Sequence, residues 1–424
     1  EALAQLQIPL GGLVINRLIT IDDWSSASLT LQDRYAEQQA ILAQLQTIAP
    51  DRPLLTIPLQ PEEPVGGPAL DRLFATLSLL TSPVAVPTVT TTVIIPAKIP
   101  PSFPDFIAEG RRLILVGGKG GVGKTTVAAA IAWAMAHRHP NRQIRAISID
   151  PAHSLGDAFG QSLGHEPQAI ECNPDRLYQG LPTEAIQPLR TIFQDFPSSN
   201  GNLTAQEVDA DRVLDQFRDD YLWELADMMS GDSDDDALQI AYGPEAWRTI
   251  VAQALPGIDE MLSLVTVMDL LERQEQDLII LDTAPTGHLL RFLEMPTAMG
   301  DWLAWIFKLW IKYQDILGHT ELIGRLRTLR QRVIQTQRQL KDPQYTEFIG
   351  VLQAQTAIMA EAERLSQALT RLGVYQHYLV HNRYEPGQSI PPEQFPGLTT
   401  IRLPVLPRSV TPLARVAIAA SLLF

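Results

Sequence analysis

Short apolar runs recur along the chain from about residue 110 onward, separated by longer mixed segments. Arg111–Val116 (RRLILV), Arg145–Ile149 and Asp277–Leu281 predict short strands, and Tyr378–His381 and Thr400–Leu403 predict two more near the C-terminal end. Thr125–His137 (TTVAAAIAWAMAH) predicts an Ala-rich helix, and Pro256–Glu272 an amphipathic one. Met299–Leu317 predicts a further helix, with Trp302, Trp305, Phe307 and Trp310 along it and Lys308 and Lys312 between them. That aromatic stripe suits either a core face or an apolar groove for a partner helix. Strands alternating with helices predict an α/β fold, a mostly parallel sheet flanked by helices. A helical insertion subdomain is expected at about 185–275 and 295–345.

Candidate chemistry begins where the first of these strands meets its helix. Residues 117–126 read GGKGGVGKTT, and from Gly118 they fit the phosphate-binding pattern G-x-x-x-x-G-K-[ST]. Gly118, Gly120, Gly121 and Gly123 let the backbone curl so that its N–H groups, with that of Val122, face phosphate oxygens. Lys124 would reach the β- and γ-phosphates, Thr125 would bind Mg²⁺, and Thr126 continues the helix N-terminus whose dipole faces the anion. The chain is therefore expected to bind ATP with Mg²⁺.

Two aspartates follow strands in the same way. Asp150 ends the Arg145–Ile149 strand, and Asp282 ends the Asp277–Leu281 strand. Ligands of an open parallel sheet sit beyond the carboxyl ends of its strands, so both carboxylates are expected to converge on the phosphates. Mg²⁺ keeps several waters, so Asp282 could hold it through water while Asp150 orients the attacking water.

Ile147–Phe159 (ISIDPAHSLGDAF) and Leu278–Leu293 (LIILDTAPTGHLLRFL), taken with the loop, resemble the arsenite-pump and tail-anchored-protein-targeting ATPases. The resemblance runs from about Arg111 to Phe424. It implies a P-loop NTPase with ATPase activity. It assigns the water-polarising role to Asp150 and a switch role to Asp282–His288. Lys119, inside the loop, matches the deviant lysine that reaches the phosphates of a partner site, so a second ATPase half or a homodimer across the loop face is expected. Asn382 falls on the family's adenine-contacting asparagine, and Pro404 on the proline beside the adenine pocket. One departure stands out: Gln355 occupies a position where the family often has glutamate. His153 and His288 suit either phosphate sensing or turn and cap positions. The resemblance implies a membrane pump partner or a hydrophobic membrane-protein client. A nucleotide-gated scaffold or chaperone with little hydrolysis is the alternative function.

Composition narrows the partners. The formal net charge of −15 argues against nucleic acid and against a chromosome- or plasmid-partitioning ATPase. The lone cysteine, Cys172, cannot form an internal disulfide or supply a zinc clasp or three-thiol arsenite site, and it points to a reducing, cytoplasmic setting. The acidic cluster Asp232–Asp236 reads as a solvated loop.

The two ends of the chain repeat one another. Leu13-Val14 through Asn16-Arg17 aligns without a gap to Leu379-Val380 through Asn382-Arg383. Leu55–Pro58 pairs with Ile401–Pro404, and Ala69–Arg72 with Pro412–Arg415. Residues 1–80 are therefore expected to be the C-terminal portion of a first ATPase half, and the sequence a fragment of a tandem protein. Residues 81–110, with six spaced prolines, read as a semi-rigid linker, and residues 111–424 as a complete half.

Overall fold

The computed structural model describes the chain apart from residues 1–8, 22–28, 49, 51, 61–63, 83, 86–92, 151–153, 172–176, 179–182, 194–200, 218, 220, 222–257, 274 and 318–319. His153, Cys172 and Asp232–Asp236 lie outside the described residues. So do the side chains of Trp310 and Lys312. Two compact units emerge, one of residues 1–96, 178–194 and 406–415, the other of residues 97–177, 195–405 and 416–424.

The smaller unit holds β1 (Leu13–Leu18), α1 (Leu29–Ile48), β2 (Leu54–Pro58), α2 (Gly67–Ala75) and β3 (Ser78–Leu79), together with a helix at Thr183–Phe193. Its sheet runs β1-β2-β3, with β1 parallel to β2 and β3 antiparallel to it.

The larger unit begins with β4 (Leu113–Gly117), α3 (Lys124–Arg138), β5 (Ile144–Ser148), α4 (Leu155–Phe159), β6 (Gln168–Ala169) and β7 (Leu203–Glu207). It continues through α5 (Ala210–Phe217), α6 (Ile258–Arg273), β8 (Leu278–Asp282), α7 (Thr286–Leu317), α8 (Thr320–Lys341), β9 (Thr346–Leu352), α9 (Thr356–Leu372), β10 (Gln376–Tyr384) and β11 (Thr399–Pro404). The last helix, α10 (Pro412–Leu423), contributes Val416 onward to this unit. Eight strands run β11-β10-β9-β4-β8-β5-β7-β6, all parallel except β6 against β7. The central strands are short continuous apolar runs because helices cover both faces. Every residue of β4, β8 and β9 is buried. The alanines of α3 let that helix lie close to the sheet, and its length from Val127 to His137 is buried.

Strand β7 corrects the expectation that residues 185–275 form a helical insertion. Leu203–Glu207 pairs with β5 inside the main sheet. Its sequence, LTAQE, is too short and too mixed to announce a strand; the edge of β5 supplies the pairing instead. Apart from the Thr183–Phe193 helix of the smaller unit, helices α5 and α6 of the segment pack with α7 and α8 around Phe217, Met268, Leu303 and Leu326.

Proline-rich residues 81–110 are not an extended spacer throughout. Phe103 and Phe106 are buried among Tyr378 and Phe424, with ring centroids 5.4–6.0 Å apart. Aromatic anchors, not prolines, decide the conformation there. No helix of the described residues is long and apolar enough to cross a membrane.

The end-to-end repeat extends to backbone detail. Leu13, Val14, Ile15 and Leu18 face Leu54, Leu55, Thr56 and Pro58. Leu379, Val380, His381 and Tyr384 face Thr400, Ile401, Arg402 and Pro404 with the same step in register. Within each step sits a left-handed arginine, Arg17 at φ 65° and Arg383 at φ 55°.

Phe106→Ala is expected to lower the stability of the larger unit by about 3–5 kcal/mol, the usual cost of removing a fully buried aromatic ring. A urea melt would read this as a lower midpoint. An unchanged midpoint would mean that the Pro-rich segment is not held by its rings.

Candidate functional site

The loop between β4 and α3 is built where its backbone comes close to a neighbouring carbonyl and a side-chain amide. Gly118 has φ 150°, and a Cβ there would lie 2.3 Å from the Val351 carbonyl oxygen of β9. Gly123, the N-cap of α3, is left-handed at φ 98°, and its Cβ would meet Asn382 Nδ2 at 2.1 Å. No other residue satisfies both constraints. A Cβ on Gly120 would make only an ordinary contact with Pro285 at 3.9 Å, and Gly121 has open space on its Cβ side.

Asn382 lies inside β10, not at its end, and its Nδ2 donates to the Val122 carbonyl at 2.7 Å. Gln353, at the end of β9, donates to the same oxygen at 3.4 Å. The asparagine read as an adenine contact is thus a brace beneath the phosphate loop in this structure. Pro404 ends β11 one register step from it, since Asn382 faces Leu403. Gln355 is the N-cap of α9 and contacts Gln353. Gln353 is a brace that motif reading missed, because a lone glutamine after a strand carries no pattern.

Lys124, Asp150, Thr125 and Asp282 lie close to one another. Lys124, only 5% exposed, has its Nζ 3.9 Å from Asp150 Oδ2 and donates to the Lys119 carbonyl at 3.5 Å. Thr125 Oγ1 donates to Asp282 Oδ2 at 2.7 Å and lies 2.9 Å from Ser154 Oγ. Thr126 is half-buried on the first turn of α3. Lys119, 42% exposed, points its ammonium at Glu361 of α9, 3.7 Å away. His288 is on an exposed position of α7.

Asp282 is 1% exposed, and burial pushes its carboxyl up to about 7. The neighbouring Asp150 and Glu207 charges push the same way, while the Thr125 hydroxyl and the Lys124 ammonium pull down. Its Oδ1 is buried without a hydrogen-bond partner. A hydroxyl and a carboxylate, with one oxygen still unsatisfied, form the hard oxygen donor set that Mg²⁺ prefers. The residues fit the ion.

The raised Asp282 carboxyl has a stability consequence. An acid whose folded pKa exceeds its unfolded value leaves the folded state holding the extra proton, so stability falls as pH rises between the two values. The window runs from about 4 to about 7 here, with a slope of at most about 1.4 kcal/mol per pH unit. Asp282→Asn, which keeps an acceptor for Thr125, should therefore melt higher than the parent without nucleotide at pH 8, and the gap should close toward pH 4. A pH-independent gap would show that Asp282 ionises normally.

Residues 111–179 and 196–396 match the family model described as anion-transporting ATPase. The ATPase get3 of Aspergillus terreus is 31% identical over 286 residues, which is 64% of this chain and 73% of that protein. The ATPase GET3 of Chaetomium globosum is 32% identical over 286 residues, covering 64% of this chain and 72% of its own length. The phosphate loop, both strand-end aspartates and Asn382 all fall within the matched residues. The chain belongs to the anion-transporting ATPase family and is an ATP-hydrolysing enzyme.

Proposed function

We propose that the chain spends Mg²⁺-dependent ATP hydrolysis on a conformational cycle that serves a hydrophobic membrane-protein client in the cytoplasm. The observation that carries the client reading is the split of the aromatic stripe. On α7, Trp302 is buried whereas Trp305 is 45% and Ile311 60% exposed. Large apolar side chains left facing outward on a helix beside the core suit an apolar partner. The family resemblance points the same way.

The reading gives each residue a part. Lys124 binds the β/γ-phosphate oxygens, and the backbone of Gly118–Gly123 holds the phosphates. Asp150, beside that lysine, orients the water in line with the γ-phosphate and accepts its proton. Thr125 and, through water, Asp282 would hold Mg²⁺, which would supply positive charge against the phosphate oxygens. Asn382 and Pro404 line the adenine side. For Asn382 this requires the amide to turn from the Val122 carbonyl toward the base. Lys119 already has a carboxylate neighbour in its own chain, and an exposed ion pair of this kind is worth about 1 kcal/mol or less, so the lysine can leave it for a partner site.

The smaller unit is proposed as the C-terminal part of another ATPase half. Its β1–β2 pair carries the register and the left-handed arginine of β10–β11. Val14 and Phe74 are exposed where their counterparts Val380 and Ala417 are buried. A partner loop would then come from that other half or from a second copy of this chain.

Steady-state ATP turnover tests this reading. An added apolar helical peptide should change the rate, and the change should be lost on Trp305→Ser. No response to any such peptide would leave the nucleotide-gated scaffold as the better reading.

Asp150→Asn is expected to bind ATP as the parent does yet turn over roughly 10²–10⁴-fold more slowly, the usual cost of losing a positioned acid/base group. Unchanged turnover would move the water-orienting role to another carboxylate.

Lys119→Ala should keep ATP affinity and lose the rise of specific activity with protein concentration. A parent rate per chain that is independent of concentration, with the variant fully active, would mean a self-sufficient site.

A further inference from the structure

Glu207 ends β7 at a place the ATPase mechanism above does not use. It is 7% exposed, and its Oε1 accepts the Gly156 N–H at 2.8 Å across 51 positions of sequence. Gly156 is the second residue of α4, a helix of five residues. A helix this short cannot hold itself together, because nucleation is unfavourable and its first N–H groups have no partners within the helix.

Serine at the N-cap normally supplies such a partner. Ser154 occupies that position and makes no side-chain cap bond. Its hydroxyl lies instead 2.9 Å from Thr125 Oγ1. The capping that Ser154 forgoes is done by Glu207 from the neighbouring strand.

Two further contacts show that the anchor acts on the catalytic side of the sheet. Glu207 faces Ser148 in the β5–β7 register, and Ser148 stands two residues before Asp150. A Cβ on Gly156 would lie 2.7 Å from the Gln161 carbonyl oxygen, so the first turn of α4 has no room to slide inward.

We propose that Glu207 is a positioning residue for ATP hydrolysis: it fixes the first turn of α4, and through it sets where Ser154 and Asp150 stand over the phosphate loop. In this proposal Glu207 acts through the Gly156 N–H, not on the nucleotide or the attacking water. A displacement of about 1 Å in a positioned group can cost on the order of 10²-fold in rate, so a loosened turn should act on the chemical step and spare binding. The proposal rests on the ATPase activity alone and does not depend on a client or a partner half.

The test compares Glu207→Ala, Glu207→Gln and Glu207→Asp in the full chain. Three readings are taken: kcat and KM for Mg·ATP, the Kd of a fluorescent ATP analogue, and the melting temperature without nucleotide. E207A is expected to lower kcat by roughly 10–100-fold with Kd changed less than about twofold. E207Q keeps an oxygen at Oε1 and should retain most of kcat. E207D keeps the charge but draws the acceptor back by one methylene, and should be slow like E207A. Should E207A fail to fold, the order of E207Q and E207D decides alone. Wild-type kcat in E207D or E207A would overturn the proposal. So would a slow E207Q beside an active E207D, which would make charge the operative property. A parallel fall in kcat, affinity and melting temperature would reduce Glu207 to a support of the fold and likewise overturn it.

Discussion

A single buried cation organises the nucleotide site. Lys124 is almost fully enclosed at the mouth of β4, and an ammonium taken out of water costs several kcal/mol unless charge and hydrogen bonds replace its hydration. Asp150 at 3.9 Å and the Lys119 carbonyl at 3.5 Å supply only part of that replacement. The loop therefore presents a site of unfinished electrostatic compensation, and an anionic phosphate is the group that completes it. Asp282 is the mirror case. Its carboxyl is buried so deeply that it holds its proton to about 7, and one oxygen lacks a partner until a cation arrives. Cation and carboxyl are each incomplete alone, and the proposed magnesium–nucleotide pair would answer both at once.

Rigidity around these charges comes from close backbone approach. The Val351 carbonyl crowds Gly118, and the Asn382 side-chain amide crowds Gly123, so the loop is held against residues of β9 and β10. Thr283 closes the third side, donating from its hydroxyl to the Val116 carbonyl at 2.8 Å while fully buried. These contacts hold the loop from the protein side, which limits the reorganisation that would oppose binding.

What was legible in the sequence was whatever a spacing rule or a run of one residue class dictates. The loop needs glycine at fixed positions, and the buried strands need unbroken apolar runs, so both could be read without a structure. Asp150 and Asp282 were legible because strand ends in a parallel sheet share one side. Strand β7 was not, because LTAQE becomes a strand only through the edge that β5 offers. Ser154 would be read as a helix cap from its position, and the hydroxyl of Thr125 draws it elsewhere. Phe103 and Phe106 were hidden by the prolines around them, whose backbone preference is compatible with a spacer or with a clamp. Asn382 was found through resemblance, yet its bond to the Val122 carbonyl spans 260 positions of sequence, a proximity no local pattern encodes.

The repeat at the two ends separates what the loop imposes from what the strand pair imposes. In the larger unit, Arg383 follows Asn382, whose side chain braces the loop, so the left-handed arginine could be ascribed to that brace. Arg17 adopts the same conformation in a unit where the described residues include no phosphate loop, and Asn16 beside it is exposed. A left-handed non-glycine residue costs on the order of 1–2 kcal/mol, so something common to both units must compensate it. The shared feature is the register step between the paired strands, after Ile15 in one and after Asn382 in the other. The extra residue has to be taken up by a bend, as in a β-bulge, and the arginine is where the bend falls. The strained backbone therefore belongs to the parallel pair, and the nucleotide loop of the larger unit is built against a bend that exists without it.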